Sequence, residues 1–293
     1  MHEKDLAKSK MNITIQPVTT IEECQLVNEI EMAAWDGTTC VPDHILITIA
    51  HQKGVVLLAY DDDLPVGFCI SFVGFVGQDV TATNLRLKHH SHMAGVIPTH
   101  QGRGIGAMLK WAQREHVLRQ QIGLMTWTFD PLETRNARLN IHKLGTVCCT
   151  YKRNVYGMMN DGINAGILSD RFQVDWWLDS GHVKQHRSGE YAHRSRAARE
   201  AEGVPLLNSA EIRHTHPIPI SADTSLIDTH DKLLIAVPSD FQAVKRASLA
   251  TGIKWRMHTR DLFEAAFANQ FTVTDLIYEP QLSYYLLEKN WQS

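Results

Sequence analysis

The chain has 293 residues, 44% of them hydrophobic, enough for a large core or two modest domains. Lys and Arg number 29 against 32 Asp and Glu, and the resulting formal charge of −3 argues against general nucleic-acid binding. Five cysteines without Cys-x-x-Cys spacing, no apolar run of membrane-spanning length and the charged start Met1-His2-Glu3-Lys4-Asp5 predict a soluble cytoplasmic protein, with reduced thiols, no signal peptide and no structural zinc.

The alternation Ile13-Thr14-Ile15-Gln16-Pro17-Val18 predicts a strand, and residues 21–35 a helix with Leu26, Ile30 and Ala33/Ala34 on its apolar side. Asp36-Gly37-Thr38-Thr39 breaks that helix, and Pro42-Asp43 starts a shorter one through Ala50. Strands at 55–60 and 65–75 flank the turn Asp61-Asp62-Asp63-Leu64. An extended segment over 85–97 feeds a Gly-rich loop and a helix to about Gln120, with Ile105, Met108, Leu109 and Ala112 at helical spacing. A strand at 124–129, a short helix at 136–144 ended by Gly145 and a strand at 147–151 come next. A Gly/Asn/Asp-rich loop over 157–170 then leads to a strand at 172–178. Residues 182–202 mix His, Arg and Glu with few large apolar residues, as a polar linker or surface helix does. Beyond them come a strand at 233–237 and a helix start capped by Pro238-Ser239-Asp240. A helical stretch after Gly252 and a hairpin of 271–278 with 282–287 close the chain. Residues 12–180 are expected as one domain, 181–203 as a linker and 204–293 as a small C-terminal α/β domain.

The segment Val96-Ile97-Pro98-Thr99-His100-Gln101-Gly102-Arg103-Gly104-Ile105-Gly106 joins a strand to a helix. Such a junction leaves the first N–H groups of the helix without intrahelical partners. Three glycines keep side chains away and admit positive φ angles that aim successive amides at one point. The helix dipole adds partial positive charge there, so a pyrophosphate-bearing cofactor is the expected guest. The loop lacks the Lys-Ser/Thr ending of an NTPase phosphate loop, and its spacing does not fit Gly-x-Gly-x-x-Gly.

It resembles instead the Gln/Arg-x-x-Gly-x-Gly/Ala loop of the GNAT superfamily of N-acetyltransferases, read here as Gln101, Gly104 and Gly106 after Val96-x-Pro98. The stretch from Asn136-Ala137 to Leu144-Gly145 is similar to the family's second signature, and Thr-Trp-Thr-Phe-Asp-Pro-Leu at 126–132 resembles an uncharacterised GNAT-like subgroup. The element order over about 12–178 is similar to the family's as well. The resemblance implies an α/β (α+β) fold, a GNAT-like mixed central sheet flanked by helices, with the small C-terminal α/β unit added. It implies acetyl-CoA or another acyl-CoA, with the pyrophosphate on Gln101, Gly102, Arg103, Gly104, Ile105 and Gly106. The pantetheine arm would lie beside Gly95, Val96 and Ile97, flanked by Asn136 and Asn140.

Amide formation from a thioester needs a neutral amine, a stabilised carbonyl oxygen and a proton for the departing thiolate. The tyrosine that supplies this proton in many GNAT enzymes is replaced here by Asn140 and Ile141, and an asparagine donates a hydrogen bond but no proton. Tyr156 is the replacement candidate and Tyr151 the next, against the reading of either as a half-buried tyrosine with a satisfied hydroxyl. Asp130, at the end of its strand before Pro131, is the candidate base, with an Asp-Pro turn as the rival reading. His92 is a candidate beside the acyl carbonyl. It shares a strand face with His90, but no Asp, Glu or Cys stands at ligand spacing and no metal is predicted. Arg135, Arg138, Arg153 and Arg171 suit the carboxylate of an amino-acid acceptor or of a succinyl-type acyl group, against the reading of each as a surface arginine packing its stem.

The function expected is direct transfer of an acetyl or succinyl-type group from acyl-CoA to the amine of a small molecule, an amino acid foremost. The alternative is a catalytically inactive CoA-binding regulatory or interaction protein. Partners expected are the small-molecule amine, no nucleic acid and no membrane, with a homodimer left open beside a monomer.

Overall fold

Thr20 and Glu23 form a reciprocal cap: the Glu23 N–H donates to Thr20 Oγ1 at 3.3 Å, and the Thr20 N–H donates to Glu23 Oε2 at 3.0 Å. Two otherwise orphaned donors are thereby satisfied, which fixes where the first helix begins. The computed structural model describes residues 12–35, 40–77, 85–157, 165–213 and 215–292, arranged as two compact units, Met1–Ile122 and Gly123–Ser293. The helix-breaking run 36–39, the charged start and part of the loop 157–170 lie outside the described residues.

In the first unit the order is β1 (Ile13–Pro17), α1 (Ile21–Ala34), α2 (Asp43–His51), β2 (Val55–Asp61), β3 (Leu64–Phe75), β4 (Leu87–Val96) and α3 (Ile105–Arg119). The strands pair antiparallel in the order β1-β2-β3-β4. Residues 55–59 are all buried, as befits a strand covered on both faces. Val27 and Ile30 of α1 and Leu46 of α2 pack on Val56, Leu58, Phe68 and Ile70. Cys69 points to the other sheet face, where its thiol donates to the Leu109 carbonyl of α3 at 3.9 Å, and burial pushes the thiol pKa up to about 12.

In the second unit the order opens with β5 (Leu124–Phe129) and α4 (Thr134–Ala137), which continues into a π-helical turn, Arg138–Lys143. Then come β6 (Val147–Lys152), β7 (Arg171–Trp177), α5 (Gly181–Ser188), α6 (Arg196–Ala201), β8 (Asn208–Arg213), β9 (His216–Ala222) and α7 (Leu226–Thr229). The chain closes with β10 (Lys232–Pro238), α8 (Phe241–Ala247), α9 (Leu249–Ala268), β11 (Phe271–Ile277) and β12 (Leu282–Lys289). The strands form one antiparallel sheet, β5-β7-β6-β11-β12-β10, while β8 and β9 pair as a separate hairpin. Asp240 and Ser248 cap α8 and α9 by accepting the N–H of Ala243 and of Thr251. Phe172, Phe263 and Tyr285 meet edge-to-face at the centre, with the Phe172 and Phe263 centroids 4.7 Å apart.

Strands β10–β12 therefore continue the sheet that holds β5, through the pair Val273↔Cys148, and 181–203 lies inside the second unit as α5 and α6. Pairing across such a separation leaves no local mark in a sequence. Helix α9 also begins at Leu249 rather than after Gly252, because Gly252 is accommodated inside it against Ile167. Among the described residues no helix is long and apolar enough to cross a membrane.

Candidate active site

In the first unit, β4 runs into a short 3₁₀ turn, Pro98–His100, and then the loop that opens α3. Gly102 has φ +76°, and Gly104, the N-cap of α3, has φ +91°. Both lie where a side chain is strained, which is the physical reason for glycine at these two positions. A Cβ built on either meets no atom within 4 Å, so the cradle is open. Gly104 O accepts from Ala107 and Met108, leaving the Ile105 and Gly106 N–H groups before the first intrahelical donor. Neither Asp nor Glu occupies the first turn to compete with an anion. Gln101 braces the loop by donating from Nε2 to the Val96 carbonyl at 3.0 Å, and Arg103 is exposed beside it.

Gly95 has a different task from the one its place in the motif suggests. A Cβ there would stand 2.7 Å from the Phe68 ring, so the residue is held to glycine by core packing. Val96 and Ile97 are half-buried on the paired β3–β4 ladder, where Ile97 N donates to Val66 O. His92 sits at a register shift: Met93 faces Ile70 and Ser91 faces Ser71, which makes His92 the extra residue of a β-bulge. Its ring lies 5.9 Å from Phe72 and 6.3 Å from His90, and desolvation lowers its pKa. Beneath the strand, Ser91 Oγ accepts from Lys110 Nζ at 2.5 Å and His89 bridges Ser71 and Gln120. This buried polar ladder had no visible signal, since its members alternate on β4 with the exposed residues.

In the second unit Asp130 is held at the end of β5 by a network that sequence reading missed. Its carboxylate receives both terminal nitrogens of Arg256, one at 2.9 Å, and Arg171 Nη1 lies 3.6 Å away. The Leu132 N–H also donates to Asp130 Oδ1 at 2.8 Å, so the rival Asp-Pro turn reading is realised together with an ion pair. Burial pulls the Arg256 pKa down, and the facing Asp130 more than offsets this, leaving it raised. Asp170 pairs with Arg260 at 2.8 and 2.9 Å and accepts the Tyr151 hydroxyl at 2.8 Å. Burial opposes the Asp170 charge, yet Arg260 and the surrounding donors hold its pKa below the usual value. Tyr151 is raised by burial, which removes it as an acid near neutrality.

Tyr156 is by contrast 55% exposed, with its hydroxyl 3.1 Å from Thr128 Oγ1 and the Arg171 guanidinium 5.4 Å from its ring. Arg171 thus brings Asp130 and Tyr156 into one neighbourhood. The other arginines of the predicted cluster do not join it: Arg153 pairs with Glu264 and Arg138 stacks on Tyr278 at 5.0 Å, while Arg135 is exposed on α4. Asn136 is exposed on α4, whereas Asn140 is buried in the π turn, where its carbonyl accepts from Thr146.

No family model matches the chain, and no curated protein matches it. Solved structures do. A putative acetyltransferase from Salmonella typhimurium, solved with its cofactor acetyl-CoA, is 21% identical, with 58% of this chain and 95% of that chain covered at a TM-score of 0.44. An N-acetyltransferase from Staphylococcus aureus is 15% identical, with 57% and 99% covered at 0.45. A putative acetyltransferase of the GNAT family from Desulfovibrio desulfuricans is 12% identical, with 57% and 99% covered at 0.42.

Proposed function

We propose that the chain is an acyl-CoA-dependent N-acyltransferase that moves an acetyl or succinyl-type group directly to the amine of a small molecule, an amino acid being the foremost acceptor. The observation that carries this reading is the open, positive-φ glycine cradle at the start of α3, with Gly102 and Gly104 in conformations that other residues resist. The Ile105 and Gly106 N–H groups, at the positive end of a helix dipole and without a carboxylate in the first turn, suit a pyrophosphate. Tyr156, exposed and bonded to Thr128, is the proton donor of this reading. Asp130 belongs to it as a positioning residue, because a carboxylate already engaged by two guanidiniums and a backbone N–H is a poor acceptor for a substrate proton.

The same ion pair favours the second reading, a CoA-binding protein without turnover, since it occupies the residue at the strand end best suited to act as a base. Release of CoA from acetyl-CoA and succinyl-CoA, measured against L- and D-amino acids and simple amines, separates the two. Cofactor at a hundred times its Kd stabilises a fold by about 2.7 kcal/mol. Acceptor-dependent release supports the enzyme, stabilisation without release supports the second reading, and neither effect refutes both.

A further inference from the structure

A cluster of histidines in the second unit plays no part in the reading above. His142 lies in the π turn after α4, His193 in the connection between α5 and α6, and Asp275 on β11. One donor atom from each falls within 4.8 Å of the others, and His142 Nδ1 is 3.1 Å from Asp275 Oδ1.

We propose that His142, His193 and Asp275 bind one divalent transition-metal ion, of which zinc fits best. Ligands at the usual zinc distances to nitrogen and oxygen stand about 3.4 Å apart along a tetrahedral edge. The His142–Asp275 separation is already near that value, and His193, exposed on a loop, would turn its ring out of the stack on His142 to reach the ion. Two imidazoles and a carboxylate are a donor set that selects zinc and its neighbours over magnesium or calcium.

Two backbone irregularities aim the ligands. The register of β11 on β12 shifts between Val273 and Asp275, a bulge that turns the buried Asp275 toward His142. The π turn at residues 138–143, with Leu144 N donating to Leu139 O, sets His142 on the facing side. The rings of His142 and His193 lie 3.6 Å apart, stacked at 25°. Beside them His186 donates from Nδ1 to the carbonyl of His142 itself at 2.7 Å, which braces the ligand's backbone. The other nitrogen of His186 is buried with no protein partner among the described residues. Three protein ligands leave a fourth position on the side where His193 meets solvent. The ion would clip the 189–195 connection to the sheet.

The test uses the full chain without an affinity tag, stripped by a chelator and titrated with Zn²⁺ by calorimetry near neutral pH. Co²⁺ absorption then reports the coordination geometry. The parent is expected to take one ion per chain with a rise in Tm. His193→Ala, at an exposed loop position, is expected to bind at least about 10-fold more weakly. His51→Ala, exposed at the end of α2, is expected to bind as the parent does. Absence of saturable one-to-one binding to the parent overturns the proposal, and so does a His193→Ala chain that binds as tightly as the parent.

Discussion

Replacing Asp130 by Asn separates a carboxylate that reacts from one that holds the fold. Arg256 is 2% exposed and its terminal nitrogens both donate to Asp130, so the neutral amide would leave a buried guanidinium without its main counter-charge. Arg171 keeps one contact to the site and Asp170 lies near enough to raise the Arg256 pKa, which tempers the loss. Removing one partner of a buried pair costs about 3–5 kcal/mol, and in a unit of this size each kcal/mol lowers Tm by about 2–4 °C. Asp130→Asn should therefore lower Tm by about 6–20 °C. The double variant Asp130→Asn with Arg256→Met should recover much of it, because no stranded charge remains. Thermal unfolding of parent, singles and double closes the cycle. A Tm for Asp130→Asn within about a degree of the parent, with kcat abolished, would refute the ion-pair argument and restore Asp130 as the base.

The glycine cradle makes its own demand: Gly104→Val should weaken acyl-CoA binding at least about 10-fold in calorimetry, while Gly74→Ala, in open space on β3, should leave it unchanged. Tyr156→Phe should lower kcat by about 100-fold or more with little change in KM for acyl-CoA, and a retained kcat removes Tyr156 as the acid. Burial lowers the Lys110 pKa from 10.5 to about 8. Below pH 8 both folded and unfolded chains carry the proton and the burial cost is fully felt. Between about 8 and 10.5 the unfolded state holds more protons, so stability should rise with pH. Lys110→Met should flatten that rise, which amounts to at most about 3 kcal/mol in urea unfolding. An identical pH profile for the two chains would show that Lys110 keeps its proton in the fold.

The elements of the first unit were legible because each is written locally. Residues 13–18 and 55–60 alternate or run apolar, and Gly102 and Gly104 announce a backbone that only glycine adopts without strain. The site's polar partners were not legible. Asp130 meets Arg256 across 126 residues, Asp170 meets Arg260 across 90, and His142 meets Asp275 across 133. Only the folded sheet chooses among such pairs. The bulge at His92 is equally silent, since one extra residue leaves the apparent alternation of His90 and His92 intact. The hairpin of β8 and β9 was missed for a third reason: Pro217 and Pro219 demote the second strand, and polar residues hide the first.

The seam between β6 and β11 rests on the single pair Val273↔Cys148, whereas β11 and β12 pair along nearly their whole length. Strands β10–β12 can therefore part from β6 at little cost in ladder hydrogen bonds. Beside the His142–Asp275 pair and the Tyr285 and Thr134 hydrogen bonds to Pro131 O and Ser239 O, α9 restrains them, its Arg256 and Arg260 reaching Asp130 beside β5 and Asp170 beside β7. Amide exchange along β6 and β11 should then report the state of the Asp170 carboxylate, whose pKa its donors hold low: slow while it is ionised and faster once acid neutralises it. The two charge pairs of α9 thus form part of the latch of a cooperative opening unit that the β6–β11 ladder alone would leave ajar.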